Sequence, residues 1–276
     1  MTFSFGDPGA GLYGLARLGL SGADGDRTGS ALAVLFSGTE PVAVHARGAV
    51  PLEADAGLER LSLPGLEATI DEPLQQWTVR FGDGERDGFE LRFEASGPPA
   101  ELEASESAAH AGGMEGYEQL CHVHGTVRTG GAEREVRCRG QRGHAWGEPD
   151  WERIESTRTL AAWLEDGSAV LLTAVRPAGA ADHESDATWA AMIGPAGNLR
   201  VDEPRLSTTY DEAGRQRSAG LELWIGEDDA YPRRASGEVV CGSTLELGQL
   251  RLDCAFVRWH MGGRAGIGRY DLLRRA

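Results

Sequence analysis

Short runs of alternating apolar and polar residues recur along almost the whole chain, with turn-forming residues between them. Residues 12–20 change side-chain size with a period of two, and residues 77–81 and 89–95 alternate on either side of a Gly-Asp-Gly turn. A period of two is typical of a β-strand that buries one face. About fourteen such runs follow one another at roughly ten-residue spacing, while helical patterns are scarce. The pattern therefore predicts an all-β protein.

Two segments stand out against this pattern. The runs 119–127 and 133–138 flank Thr129-Gly-Gly-Ala, which predicts a tight hairpin. Residues 101–113 are polar and small, and they predict a long loop or a mobile lid.

The number of predicted strands bears on domain organisation. A single barrel of about fourteen to sixteen strands would enclose an aqueous channel, so two smaller barrels are expected. We place the boundary where the turn-rich middle of the chain ends, which predicts an N-terminal barrel over residues 1–152 and a C-terminal barrel over residues 153–276.

Composition narrows the possible partners. With 25% charged and 41% hydrophobic residues the chain has a globular composition, and its formal net charge of −16 argues against nucleic acid and anionic membrane surfaces. It has no apolar run of about 18 residues and no basic, apolar leader, so we predict a cytoplasmic protein without membrane insertion. Four cysteines without CxxC spacing predict free thiols.

Chemistry-bearing residues are concentrated in residues 139–151, Arg-Gly-Gln-Arg-Gly-His-Ala-Trp-Gly-Glu-Pro-Asp-Trp. Two arginines, one histidine, two carboxylates and two tryptophans share this stretch with three glycines and a proline. Solvated loops rarely carry two tryptophans, and buried strands rarely carry unpaired charges. We therefore expect a chain corner where polar groups meet an apolar cavity for a lipophilic small molecule.

Within this stretch His144 lies between two small residues, and an imidazole can accept or donate a proton near neutral pH. The alternative is a histidine held by the backbone of a crowded turn. Trp146 and Trp151 are candidates to wall the cavity or to plug a barrel end, and Arg142 is a candidate to bind substrate. Asp150 is a candidate acid.

The carboxylates of this stretch have a structural alternative as well. Glu148 and Asp150 lie close in sequence to Arg139 and Arg142, and a carboxylate that is paired with arginine is a poor acid.

A second polar segment precedes the predicted hairpin. Tyr117, Glu118 and Gln119 open a strand, as polar groups at a pocket mouth do. On a strand His122 and His124 share the face of Glu118, which some metal sites use, but exposed hairpin histidines are the expected interpretation and we predict no metal. The common nucleophile, phosphate-loop and dinucleotide motifs are missing, so we expect no cofactor and either simple proton transfer or binding alone.

In combination these motifs resemble the hydroxyneurosporene synthase (carotenoid 1,2-hydratase) family over nearly the whole chain. The matching segments are Gly6-Asp-Pro, Pro73-Leu-Gln-Gln-Trp77, Tyr117-Glu-Gln119, residues 140–151 and Gly266-Ile-Gly-Arg-Tyr270. The resemblance implies two consecutive lipocalin-like antiparallel β-barrels. It also implies a lipophilic substrate that undergoes water addition to an isoprenoid double bond or, as in fungal relatives, cyclisation or a Diels–Alder reaction.

The chain departs from that family beside the histidine. Relatives usually read Arg-Asp-His-Ser-Trp-Gly, whereas this chain has Gly143 before His144 and Ala145 after it. If the missing carboxylate is the acid of the hydratases, another group must replace it. Glu118 is the best replacement, with Tyr117 as its hydrogen-bonding partner.

The sequence thus predicts a cofactor-free hydratase, dehydratase or cyclase that transfers protons on a terpenoid- or polyketide-like lipophile. A non-catalytic lipocalin-like carrier and a pericyclase scaffold that only orders its substrate are the alternatives.

Overall fold

The described part of the chain is almost entirely β-structure. The computed structural model describes residues 1–22, 26–53, 56–180, 182–194, 197–226 and 231–276. The first sheet contains β1 (Thr2–Asp7), β2 (Leu12–Ser21), β3 (Thr28–Ser37), β4 (Glu40–Pro51), β5 (Arg60–Leu63), β6 (Leu66–Glu72), β7 (Gln76–Phe81), β8 (Gly88–Ala95), β9 (Ala100–Leu102), β10 (Met114–Thr129) and β11 (Ala132–Gly147). Its strand order is β4-β3-β2-β1-β11-β10-β8-β7-β6-β5, with β9 paired beside β10.

The second sheet uses the rest of the chain. It contains β12 (Ile154–Leu164), β13 (Ala169–Pro177), β14 (Ala187–Gly194), β15 (Gly197–Arg200), β16 (Glu203–Tyr210), β17 (Gln216–Trp224), β18 (Arg233–Leu247), β19 (Leu250–Met261) and β20 (Arg264–Arg275). The order is β15-β14-β13-β12-β20-β19-β18-β17-β16.

Each sheet curls so that its two edges come close together. In the second sheet the edge strands β15 and β16 are separated by only Val201 and Asp202, whose amides donate to Ala190 and Trp224 on strands near opposite edges. In the first sheet β5, at one edge, contacts β3 near the other edge. Closure removes open edges from an antiparallel sheet. The predicted all-β fold of two consecutive lipocalin-like antiparallel barrels is confirmed.

The barrel interiors are apolar and packed. Side chains that alternate along the first sheet form one core, which includes Phe3, Phe5, Trp77 and Phe93. A separate core in the second sheet includes Leu160, Leu172, Trp259 and Tyr270.

By contacts the chain forms two compact units. The first unit consists of residues 1–97 and 119–144, and the second consists of residues 98–118 and 145–276. The division therefore falls within β10 and β11. The domain ranges 1–152 and 153–276 stay a prediction.

The predicted hairpin is confirmed. β10 and β11 are joined by Gly130 and Gly131, both with positive φ (59° and 78°), as a two-residue hairpin turn of this type requires. The prediction of free thiols is also confirmed, since none of the four cysteines, all of them among the described residues, forms a disulfide. Burial raises the pKa of the Cys138 and Cys241 thiols to about 12.

The loop predicted over residues 101–113 is wrong. The segment begins in β9 and contains helix α1 (Ser107–Gly112), which packs against β13 and β14. A six-residue helix is too short to be stable by propensity, so packing must stabilise it. Ser107 Oγ donates to the Thr188 carbonyl (3.2 Å) and Arg200 pairs with Glu106 (2.7 Å).

The chain corner predicted over residues 139–151 is also wrong for most of its length. Residues 139–147 are the end of β11, and irregular backbone starts only at Glu148. The strand was hard to recognise because its side chains here are polar or glycine and yet buried. Among the described residues no helix is long and apolar enough to cross a membrane.

Gly268 offers a test of the second barrel. Its α-carbon lies so close to β12 that an added Cβ would overlap the main-chain oxygen of Ala161, whereas a Cβ at Gly194 would meet only an ordinary contact at 3.9 Å. We expect Gly268→Ala to lower the free energy of unfolding by about 1–3 kcal/mol and Gly194→Ala to change it by less than about 0.5 kcal/mol, measured by urea denaturation. Equal effects would contradict the close approach of β20 to β12.

Candidate functional site

His144 lies near the end of β11 in the first unit and is half-buried. Desolvation by burial lowers the pKa of its imidazole to about 4, and the positive charges of the Met1 amino group and Arg142 lower it further. The imidazole is therefore neutral near pH 7. A neutral imidazole can accept a proton at one nitrogen and donate a hydrogen bond from the other.

Arg142 faces the interior of the first barrel. It pairs directly opposite Phe3 on β1, so the two side chains share a face, and only 2% of Arg142 is exposed. Its guanidinium carbon lies 4.1 Å from the centroid of the Trp77 ring. A cation over an indole face is stabilised by the ring's quadrupole, and the effect grows when water is excluded. The arrangement holds a fixed positive charge at the end of an apolar core.

Gln119 holds the turn that leads into Trp77. Its side-chain amide donates to the carbonyls of Leu74 (3.2 Å) and Gly97 (2.8 Å). Leu74 adopts φ 60°, a left-handed conformation that non-glycine residues rarely adopt. The buried Gln119 Oε1 makes no hydrogen bond within the described part of the chain. Gln119 thus fixes a strained turn, and this turn in its place positions the Trp77 indole that contacts Arg142.

Two predicted substrate-binding aromatics lie together in the second unit. Tyr117 and Trp146 pack edge to face, with ring centroids 6.2 Å apart. Trp146 is 47% exposed, which is unusual for so large an apolar side chain. The pair is an aromatic surface that solutes can reach. Trp151, after the end of β11, is half-buried.

Glu118 has a partner that the sequence did not reveal. Its Oε1 accepts a hydrogen bond from Arg269 Nη2 (3.1 Å), and Arg269 also pairs with Asp271 (3.3 Å). Arg269 and Asp271 are each 3% exposed. Glu118 therefore belongs to a largely buried network of charges, and its role as an acid stays a prediction.

Asp150 lies in an exposed turn beyond β11. One of its oxygens accepts from the Glu152 amide (3.0 Å), and the other lies 3.5 Å from Arg153. Its neighbouring arginine in the second unit is thus Arg153. Its catalytic role also stays a prediction.

The histidines of β10 lie on the outer face of the strand. His122 is exposed, and His124 lies 3.8 Å from Glu94. No cluster of three or more potential metal ligands occurs within the described ranges.

Four surface grooves are described, two in the first unit and two in the second. A groove on β7, β8 and β10 has a volume of about 630 Å³, and a groove of about 620 Å³ lies where β17 and β18 separate. None of the four described grooves is lined by His144, Glu118 or Asp150. The predicted apolar chamber beside His144 stays a prediction.

Sequence reasoning missed the buried charges of the second unit. Asp186 pairs with Arg158 and Arg176, and Asp253 pairs with Arg251 and Arg274. The available signal was an arginine in a strand that continues into an apolar run, such as Arg158 before Leu160-Ala-Ala-Trp163.

The fold and the buried polar groups define a tandem lipocalin-like barrel protein with a candidate proton-transfer site. The chain belongs to the family described as Domain of unknown function (DUF7064), whose model matches residues 1–275. No curated protein matches the chain by sequence.

Several solved structures share the fold. An AttH candidate from Nitrosomonas europaea has a TM-score of 0.66 at 15% identity, over 98% of this chain and 90% of that one. Kievitone hydratase from Nectria haematococca has a TM-score of 0.68 at 9% identity, over 99% and 87%. CghA has a TM-score of 0.65 at 12% identity, over 100% and 88%. At these identities the likeness concerns the fold alone, and the resemblance to the hydroxyneurosporene synthase family stays a prediction.

The titration of His144 can be measured by NMR, with its signals assigned through His144→Gln. We expect a midpoint near pH 4, and a higher midpoint in Arg142→Met because one nearby positive charge is removed. The unfolded chain titrates at 6.5, so between pH 6.5 and about 4 it binds more protons than the folded chain. The contribution of the neutral His144 to the free energy of unfolding is therefore complete above pH 6.5, and it is lost as the pH falls toward 4. A midpoint at or above 6.5 would show that His144 is neither desolvated nor beside a cation.

Replacement of Arg269 tests whether its ion pairs with Glu118 and Asp271 stabilise the fold. Arg269→Met leaves Asp271 buried without this cation, and we expect it to lower the free energy of unfolding by about 3–5 kcal/mol. The exposed Arg153 provides the matched control, because loss of a surface pair costs at most about 1 kcal/mol. Denaturation of both variants measures the difference, and a small effect of Arg269→Met would contradict a structural role.

Proposed function

We propose that the protein is a cofactor-free hydro-lyase that adds water to, or removes water from, a lipophilic small molecule of terpenoid or polyketide type. His144 transfers the proton. The proposal draws on the residues of the first unit, with the aromatic pair of the second unit as a separate surface for ligand binding.

The state of His144 carries the proposal. A half-buried imidazole that stays neutral near pH 7 is ready to accept a proton without first losing one. It lies at the end of an apolar core, where the dielectric is low and electrostatic effects are strong. Glu118 and Asp150 each lie beside an arginine, so His144 is the better candidate for proton transfer.

The neighbouring side chains have supporting roles in the proposal. Arg142 supplies a fixed positive charge, and Gln119 holds the turn on which that charge depends. Tyr117, Trp146 and Trp151 are proposed, separately, to bind an apolar ligand in the second unit.

Kievitone hydratase gives the proposal a parallel. Its fold extends over nearly the whole of this chain, and its name describes a hydratase. A lipocalin-like barrel pair is therefore compatible with water addition. No residue role is transferred at 9% identity.

A carrier is the second candidate, and one observation favours it. The Tyr117–Trp146 pair, in which Trp146 is exposed, can bind an apolar ligand without any chemistry, and the position before His144 is occupied by Gly143 and not by a carboxylate. A carrier returns its ligand unchanged, whereas a hydro-lyase introduces oxygen from labelled water. A pericyclase changes its ligand chemically but introduces no oxygen from labelled water.

His144→Ala tests the proposal directly. Protein incubated in ¹⁸O-labelled water with a panel of terpenoid and polyketide lipophiles is analysed by mass spectrometry. We expect wild type to form a labelled alcohol and the turnover of the variant to be lower by about 10²-fold or more, in line with the contribution of a general base.

The exposed His122→Ala serves as the control and should keep wild-type turnover, and circular dichroism confirms that both variants fold. Equal turnover in wild type and His144→Ala would remove His144 from the mechanism.

A further inference from the structure

We infer that the outer edge of β4, in the first unit, is a docking site for an extended peptide segment of another protein that combines basic and apolar side chains. The peptide adds a strand to the first sheet by pairing with β4, and it occupies the groove beside that strand. This inference goes beyond the proposed function and does not depend on His144.

The backbone of β4 has an open side. β4 is the last strand of the first sheet, and among the described strands it pairs only with β3. The first barrel closes where β5 contacts β3, so β4 lies beyond the closing contact. In an antiparallel pair every second residue directs its amide and carbonyl groups away from the partner strand. Along β4 these groups are available to a further strand.

The middle of β4 lacks the features that protect an edge strand from pairing. Such protection comes from prolines, charged side chains and irregular backbone. β4 has these features only towards its ends, at Pro41, Arg47, Ala49 (φ 52°) and Pro51. Residues 42–46 between them contain no proline and no fixed charge, and Val42 and Val44 are 37% and 52% exposed. The unprotected stretch is therefore apolar and accessible.

A groove of about 770 Å³ lies beside this same stretch. Its lining includes the four consecutive residues 42–45 of β4, together with Gly65 and residues of the loop between β7 and β8. An extended chain advances about 3.3 Å per residue and lies about 4.8 Å from the strand it pairs with. The groove is thus long enough for roughly four residues of an added strand.

The groove has an aromatic wall that suits apolar side chains. The His45 imidazole packs against Phe81, with ring centroids 6.3 Å apart, and both residues line the groove. Gly65 leaves the space for this packing, since a Cβ at that position would lie 3.1 Å from His45 Cε1. Alternate side chains of a bound strand can therefore contact an aromatic surface.

The loop that lines the groove is acidic and indicates the charge of the partner. It contributes Asp83, Glu85 and Asp87 against the single cation of Arg86. Arg86 Nε lies 3.5 Å from Asp83 Oδ2 and offsets that carboxylate. Asp87 accepts a hydrogen bond from the Gly130 amide (2.7 Å) and, like Glu85, forms no ion pair with the described residues. Two carboxylates are thus left to attract lysine or arginine side chains.

The same charges disfavour a second copy of this chain as the partner. The chain has a formal net charge of −16, and pairing of β4 with β4 of another copy would bring two acidic loops to one pair of strands. Like charges that face each other across an interface weaken association. A basic segment of a different protein is the better match.

Binding of short labelled peptides tests the docking site. The probe is fluorescein-labelled Lys-Val-Lys-Val-Thr-Val-Lys, and its charge-reversed control is Glu-Val-Glu-Val-Thr-Val-Glu. By fluorescence anisotropy we expect the basic peptide to bind at least about tenfold more tightly than the acidic one. Val44→Lys adds a positive charge to the open edge, and Glu85→Lys reverses a charge of the loop. Each should weaken binding of the basic peptide by about tenfold.

Matched variants in the second unit separate this site from general attraction to an acidic protein. Leu199, which is 51% exposed, and the exposed Glu212 are replaced by lysine, and the resulting changes in net charge equal those of the two test variants. Leu199→Lys and Glu212→Lys should leave the affinity unchanged. If circular dichroism shows that Val44→Lys does not fold, Val42→Lys takes its place.

Amide hydrogen exchange, measured by mass spectrometry, tests whether the peptide pairs with the backbone. We expect residues 40–47 to exchange at least about tenfold more slowly when the basic peptide is bound. Lack of this protection, binding of neither peptide, equal binding of both, or unchanged affinity in Val44→Lys each overturns the inference. Protection of residues 40–47 without peptide, in a protein that light scattering shows to be a dimer, overturns it in favour of a second copy.

Discussion

A guanidinium stacked on an indole inside an apolar barrel is the interaction on which the candidate site depends. Burial of a charge is costly unless the protein supplies compensating interactions. For Arg142 part of that compensation is the face of Trp77, at 4.1 Å. Trp77 follows a turn that contains the strained Leu74, and the side-chain amide of Gln119 holds this turn in place. The position of the Arg142 charge thus depends on Trp77, and through Trp77 on the strained turn that Gln119 holds.

The two units handle buried charge in different ways. In the second unit, Arg158 lies against the carboxylate of Asp186, and Arg269 lies against Asp271. In these groups carboxylates offset the charges of the arginines. In the first unit Arg142 stacks on an aromatic ring, and burial together with the charges of the Met1 amino group and Arg142 lowers the pKa of the His144 imidazole. The electrostatics of the candidate site therefore depend on an aromatic contact as well as on charges.

The alternating pattern was enough to predict the all-β class, because period-two burial and glycine turns are local properties of the chain. The hairpin at Gly130-Gly131 could be placed to the residue for the same reason. Helix α1 could not be predicted, since Ser107-Ala-Ala-His-Ala-Gly112 is too short to signal a helix and depends on packing against β13 and β14. The polar strand at residues 139–147 was misjudged because its burial comes from neighbours that are distant in sequence. His144 and Arg142 could be singled out as residues, but the Trp77 contact that sets their electrostatics joins positions 65 residues apart (142 minus 77).

Gly143 separates the sequence resemblance from the electrostatics of His144. Neighbouring residues on a strand project from opposite faces, so a side chain at position 143 points away from the face that Arg142 and His144 share. A carboxylate at this position would therefore act from the other face of β11, and the electrostatics of the imidazole depend on other residues. Low identity among proteins of one fold is therefore compatible with different substrates, because the fold sets the apolar enclosure and a few charges near its end set the reaction.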